Sequence, residues 1–368
     1  MDLTTLVYII FLWFLGFILL WRIPYCKEKR RDEDVPELSI VVPARNEEKT
    51  LPILLKSLKN QRVRPKEVIV VDDQSEDATA EVARREGAIV VESKDIPKGW
   101  LGKQWACWQG ANRAKGEILI FLDSDTFLES DGLIKIVTAY MEKGGLLSVW
   151  PYHKMKKLYE QLSAFFQIIV MAGMNAFTPL GSKLKPLGAF GTCIVCRRAD
   201  YFEVGGHKEV QGDILEDIAL GKTFLKMNSE VRCFGGKGTL SIRMYPKGIG
   251  SLIEGFSRIF GTGAKEGSIF ILLMIFGWIT GSISVTGNLL ESAFMGNQTA
   301  FLTWLTFYSL YVIQIYWILL RIGNFGFYTA LLFQIPLAFF IVVFSISLIL
   351  TFFVQKASWK GRRVKINK

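Results

Sequence analysis

Two aspartates, Asp123 and Asp125, stand one residue apart directly after the apolar run Ile118-Leu-Ile-Phe-Leu122. At the mouth of a buried strand both project towards one solvent cleft. Hard divalent cations take carboxylate oxygens, and Mg²⁺ is commonly held by one or two carboxylates plus substrate phosphates. The pair could therefore clamp a metal–diphosphate; the alternative is a solvated turn or an Asx cap. Two earlier apolar runs also end in polar groups, Asn46-Glu47 and Asp72-Asp73. Further on, Glu216-Asp217 opens a predicted helix. Acids there suit a helix N-terminus, or one of them serves as a general base within reach of the proton it removes. The two histidines, His153 and His207, could each be a hydrogen-bonded structural residue or a third metal ligand, with His207 carried as the metal candidate. Cys193 and Cys196 have a C-x-x-C spacing inside a predicted strand, which turns the thiols to opposite faces. With no second pair, the spacing does not build a zinc site. Trp100, Trp105 and Trp108 are either core or a surface on which a base or sugar stacks.

The elements that must position these residues are legible in outline. Leu38-Ser-Ile-Val-Val42, Glu67-Val-Ile-Val-Val71, 88–91 and 117–122 are short apolar runs, and 51–58, 79–85 and 103–114 carry helical patterns between them. Strands alternating with helices, each strand nearly all apolar, predict a mostly parallel α/β sheet. Ligands of such sheets bind outside the carboxyl ends of the strands, where the acids lie. Neither a Walker loop nor a G-x-G-x-x-G follows the first strand, which weighs against a P-loop enzyme and a dinucleotide fold.

The chain has 368 residues, 50% of them hydrophobic, with 27 Phe and 10 Trp, so a disordered chain is excluded. The net charge of +10 suits an anionic membrane face and an anionic substrate. Basic residues cluster at membrane flanks, which speaks against nucleic acid. Five scattered cysteines indicate no disulfide framework and a reducing compartment. Residues 5–21 are uncharged and followed by a basic flank, which predicts an anchor with the following region in the cytoplasm. Three further apolar segments close the chain, at 269–287, 300–320 and 328–354. Parity would place the basic tail outside, so one segment is expected not to cross, and the Gly- and Ser-rich 269–287 is expected to be re-entrant or interfacial. The apolar stretch 158–177 is expected to be an in-plane helix. The organisation expected is an anchor at 1–31, a cytoplasmic catalytic domain at 32–265, membrane segments at 266–355 and a basic tail at 356–368, in a multi-pass protein of the cell membrane.

Together these residues resemble the family 2 nucleotide-sugar glycosyltransferases with the GT-A fold. The matching pieces are Pro43-Ala-Arg-Asn-Glu47, Val70-Val-Asp-Asp73, Lys103, Phe121-Leu-Asp-Ser-Asp125, Gly205-Gly206 and Glu216-Asp217. The resemblance is closer still to the membrane-bound diaponeurosporenoate glycosyltransferases and their hopanoid-associated relatives, through Pro151-Tyr-His153, Gly188-Ala-Phe-Gly191, Arg243-Met-Tyr245 and Trp359-Lys-Gly-Arg362. It implies that Pro43, Arg45, Glu47 and Asp73 bind the nucleoside. It implies that Asp123, Asp125 and Mg²⁺ or Mn²⁺ hold the diphosphate, with Lys103 as a further contact and Arg258 beside the departing group. Asp217 is then the base of an inverting transfer, with Glu216 as its catalytic neighbour. The implied donor is a UDP-hexose, and the implied acceptor is a membrane lipid such as a carotenoid or hopanoid. Two features depart from the family: Trp108 replaces a usual Asn, and the Q-x-x-R-W of processive synthases is absent, the region reading Glu254-Gly-Phe-Ser-Arg258. The readings that compete are a polysaccharide synthase and a non-catalytic scaffold with a nucleotide pocket.

Overall fold

A computed structural model describes residues 2–28, 35–350, 356–359 and 362–365; the side chains at 182, 258, 259, 261, 262, 264, 265 and in the two tail segments lie outside the description. The basic flank at 29–31 and much of the basic tail therefore fall outside it too. In chain order the elements are α1 (Leu3–Leu19), β1 (Leu38–Ala44), α2 (Leu51–Lys59), β2 (Glu67–Asp72), α3 (Thr79–Arg85), β3 (Ile89–Glu92), α4 (Gly102–Arg113), β4 (Ile118–Leu122), β5 (Thr126–Leu128), α5 (Gly132–Met141), β6 (Leu146–Trp150) and β7 (Tyr152–His153). There follow α6 (Ala164–Gly173), β8 (Cys193–Arg197), α7 (Arg198–Glu203), α8 (Gly206–Glu209), α9 (Glu216–Lys226), β9 (Val231–Gly235), β10 (Leu240–Ile242), α10 (Ile249–Glu266), α11 (Ile269–Phe294), α12 (Gln298–Ile322), α13 (Phe327–Leu331) and α14 (Gln334–Ile349). They form two units: Met1–Ile23 with Met155–Lys185 and Tyr245–Ile349, and Pro24–Lys154 with Pro186–Met244 and Leu350–Lys368.

The second unit is the expected α/β sheet. Its strand order is β3-β2-β1-β4-β8-β6-β9. The first four strands run parallel, β8 runs antiparallel to both its neighbours, and β9 is parallel to β6. The central strands β1, β4, β8 and β6 are buried on both faces, which explains their unbroken apolar runs. Ile40 and Val42 of β1 pack on one side with Leu51, Leu54, Leu55 and Leu58 of α2; Val41 packs on the other with Ala106 and Ala111 of α4. Pro52 in the first turn of α2 loses no intrahelical bond. Cys193 and Cys196 do take opposite faces of the sheet, both buried as free thiols. A small sheet, β5-β10-β7, stands beside the loop that follows β4.

The first unit is helical. Helices α11 and α12 are long and apolar enough to cross a membrane; α1 has 17 residues and α14 has 16. The 26-residue α11 is continuous, about 39 Å at 1.5 Å per residue against about 30 Å of hydrocarbon. A continuous helix is not the broken form expected of a re-entrant piece at 269–287. Its small residues serve packing instead: a Cβ on Gly281 would collide with the Tyr311 hydroxyl. The interrupted segment is the last one, where the helix breaks between α13 and α14. Side-chain amides stitch these helices together. Gln314 accepts from Trp278 Nε1 at 2.8 Å and donates to the Trp13 carbonyl at 2.9 Å; Gln334 donates to Thr286 Oγ1 at 2.8 Å. Such bonds are favoured where no water competes.

The stretch 158–177 is not one helix. Leu158–Ser163 is a 3-10 turn, and α6 follows it. Phe165, Phe166, Ile168 and Met171 are buried within the helical unit, where the Phe166 ring stacks on Phe256 at 4.0 Å between centroids. The stretch thus belongs to the helical unit, and so does α10, although both were expected within the catalytic domain.

Candidate functional site

The acidic rim of the α/β unit forms at the carboxyl ends of β1, β2 and β4. After β1 and β2 the chain builds two loops that brace one another. Arg45 Nη1 donates to the carbonyls of Asp73 and Gln74 at 2.7 and 2.9 Å. Asn46, at φ 55°, takes the left-handed conformation that Asn tolerates. Its backbone donates to Ser75 Oγ at 3.0 Å, and its side chain accepts from the Glu76 N–H at 2.8 Å. The Glu47 N–H reaches Thr79 Oγ1 at 2.8 Å, while the Glu47 carboxylate accepts from the Thr50 hydroxyl. Asp73 is 1% exposed, its N–H bonded to the Ala44 carbonyl at 2.8 Å. Pro43 lies within β1 beside this loop. Arg45, predicted as a donor contact, is thus used as the brace between the two loops.

The centre of the site is Lys103, in the first turn of α4. Its ammonium stands 3.1 Å from Asp123 Oδ1, 3.5 Å from Glu216 Oε1 and 3.3 Å from Asp217 Oδ2. The Gly191 carbonyl is also within 3.5 Å. The structure therefore brings together Asp123 and the Glu216-Asp217 pair, which lie far apart in the chain. Burial alone would lower the lysine's pKa, but the three carboxylates outweigh it and hold the ammonium well above its ordinary value. Burial and the adjacent Asp217 carboxylate push Glu216 up to about 8, against the pull of Lys103. Burial likewise raises Asp217, although Lys103 draws it down.

A carboxyl whose folded-state pKa lies above its unfolded value binds its proton more tightly when folded. The fold then loses stability as pH rises from the ordinary carboxylate range towards 8, and no more above it. Glu216→Gln cannot ionise, so its thermal midpoint should fall less than that of the wild type between about pH 5 and 8. Parallel melting curves would contradict this placement of the proton.

Gln104, which the sequence patterns did not single out, and glycines that include both ends of the Gly188-Ala-Phe-Gly191 motif hold this cluster in place. Gln104 is fully buried; its Oε1 accepts from the Gly212 N–H at 2.9 Å, and its Nε2 donates to the Asp213 carbonyl. The lysine turn is thereby fastened to the loop that leads into α9. Glycines close the other side. A Cβ on Gly191 would overlap the Asp217 carboxylate, one on Gly188 would overlap the Ile218 carbonyl, and one on Gly221 would meet Ala189 N at 2.5 Å. Gly191→Ala should therefore displace Asp217 and cut turnover at least about tenfold, while Gly173→Ala, with nothing near its Cβ, changes little. Equal rates for the two variants would show that Asp217 has room to spare.

His207 lies in the core, its Nδ1 2.9 Å from the Tyr201 hydroxyl and its ring 5.2 Å from that of Phe121. Burial, with Lys103 nearby, pulls it down to about 3. His153 is fully buried in β7, also drawn down to about 3 by burial. Among the described residues no three His, Cys, Asp or Glu side chains group as an ion's ligands would. The Asp123 carboxylate instead carries an ammonium, which shows that it can bind a cation; with Asp125 it offers two hard oxygen donors on one turn. Arg258 lies on α10, its side chain outside the described residues. The three tryptophans form one ring cluster, Trp100 lying 5.1 Å from Trp105 and 6.3 Å from Trp108, and Trp108 packs on Phe202 at 5.6 Å.

The chain is similar to known proteins in sequence and fold. The family model described as "Glycosyl transferase family 2" matches residues 39–203. A 4,4'-diaponeurosporenoate glycosyltransferase of Staphylococcus aureus (strain MRSA252) is 36% identical over 358 residues, 96% of this chain and 95% of that one. The protein of the same name from Staphylococcus haemolyticus (strain JCSC1435) is 39% identical over 273 residues, 73% of this chain and 72% of that one. Among solved structures, a mannosyltransferase from Pyrobaculum calidifontis in complex with GDP-Man and Mn²⁺ superposes with a TM-score of 0.51. It covers 90% of this chain and 96% of its own at 16% identity, a likeness of fold.

Proposed function

Because the chain belongs to glycosyl transferase family 2, and is thus a glycosyltransferase of GT-A fold, we propose that it moves one hexose, with inversion, from a nucleoside diphosphate sugar to the carboxyl end of a carotenoid acid. The observation that carries this reading is the meeting of Asp123 and Asp217 around Lys103 on the strand-end rim. That juxtaposition puts a group for the leaving diphosphate beside a group for the incoming nucleophile. The names of the relatives support an acid of this class as acceptor.

In this reading Pro43, Glu47 and Asp73 border the nucleoside, and Arg45 shapes their loops. Asp123 and Asp125 would hold a divalent cation, Mg²⁺ or Mn²⁺; when bound, it supplies charge to stabilise the departing diphosphate. Asp217 removes the proton of a hydroxyl acceptor. An acid acceptor arrives ionised, and Asp217 then only helps to position it. The apolar tail of the acceptor lies in lipid, and the exposed Phe270, Leu273 and Phe276 on α11 of the helical unit suit a bilayer. The catalytic unit faces the cytoplasm in this reading. The test is purified protein in detergent with Mn²⁺, a panel of nucleotide hexoses and a carotenoid acid. Mass spectrometry should find the acid heavier by one hexose; a ladder of hexoses would instead favour a polymerase, and no product would overturn the proposal.

A further inference from the structure

Lys103 has surroundings that a diphosphate contact does not need. Its ammonium is paired with the carboxylates of both halves of the site, Asp123 at 3.1 Å on one side and Asp217 and Glu216 at 3.3 and 3.5 Å on the other. It is held there firmly, because the neighbouring Gln104 ties the same helical turn to the backbone at 212–213. An ammonium has three N–H donors. A cation held by Asp123 and Asp125 would compete with Lys103 for the Asp123 carboxylate, and would leave one ammonium N–H for another acceptor. A carboxylate arriving there meets the Asp217 carboxylate, and like charges at such distances repel away from water. Something must offset that repulsion, and Lys103 is a cation already ion-paired to Asp217.

Resting on the reading that the acceptor is a lipid acid, we infer that Lys103 is the residue that selects an anionic acceptor: its ammonium receives the acceptor carboxylate on the N–H that faces Asp123 Oδ1 in the free enzyme, beside Asp217. One carboxylate oxygen then attacks the anomeric carbon. The bond from that carbon to the diphosphate oxygen breaks, and its electron pair leaves with the nucleoside diphosphate. No proton moves, since the acid enters ionised, and the second carboxylate oxygen stays on the ammonium. A hydroxyl acceptor brings no charge to be neutralised and depends on Asp217 instead.

The experiment compares wild type, Lys103→Met and Lys103→Arg on two acceptors with the same polyene chain, one ending in a carboxylate and one in a primary alcohol. The expected result is a fall of at least tenfold in the acid-to-alcohol ratio of kcat/KM for Lys103→Met, carried by KM, with the ratio largely kept in Lys103→Arg. Should Lys103→Met fail to fold, Lys103→Gln reads the same ratio without the charge. An unchanged ratio, with weaker donor binding by calorimetry, would overturn the inference and make Lys103 a diphosphate contact. If wild type glycosylates the alcohol but not the acid, it is the carotenoid-acid reading itself that fails.

Discussion

Asp123→Ala should abolish divalent-cation-dependent binding of the nucleotide sugar and lower turnover at least about a hundredfold, the usual scale for losing one group that stabilises developing charge. The expected loss is large because Asp123 is the carboxylate of the D-x-D turn that meets Lys103, at 3.1 Å. The variant should still fold. Asp123 lies at the mouth of β4 with its N–H bonded to the Thr192 carbonyl at 3.1 Å, and alanine keeps that backbone bond. Removing it also relieves crowding, since Lys103 keeps Glu216 and Asp217 as partners. Calorimetry of the donor with and without Mn²⁺ checks this. Metal-dependent binding at wild-type strength would remove Asp123 from the clamp.

Asp217→Asn should divide the two acceptor chemistries. The amide has the carboxylate's shape, so it fits against Gly191 and leaves the donor side untouched. It cannot take a proton. Transfer to an alcohol should drop by about 10²–10⁴, the range for losing a positioned base, whereas transfer to an acid should fall far less. Steady-state rates on paired acid and alcohol acceptors measure both. Undiminished transfer to the alcohol would exclude Asp217 as the base.

The parts of the site that sit at strand ends were legible in the sequence. An apolar run that stops at Asp123-Ser-Asp125 or Asp72-Asp73 announces both the strand and the rim, because strand burial and strand-end chemistry are written in neighbouring residues. The parts that join distant segments were not. Gln104 and Gly212 meet across 108 positions, and Lys103 and Asp217 across 114. Gly191 matters through a Cβ that it lacks, which only the packed structure reveals. In the helical unit composition misled for a physical reason. Glycine and serine in α11 mark close helix packing as readily as a break, while the real interruption, between α13 and α14, is signalled by Pro336 in the first turn of α14 rather than by a change in apolar composition. Likewise the 158–177 stretch is apolar enough to lie at an interface, yet Phe165 and Phe166 are fully buried among helices.

The most direct measurement is the anomeric configuration and linkage of the product, read by NMR on a carotenoid acid glycosylated from a ¹³C-labelled nucleotide hexose. The expected product carries a single hexose, of inverted configuration, joined as an ester to the acid. A product of retained configuration would contradict the single displacement proposed for Asp123 and Asp217, and a sugar attached anywhere but the carboxyl would contradict the proposed acceptor.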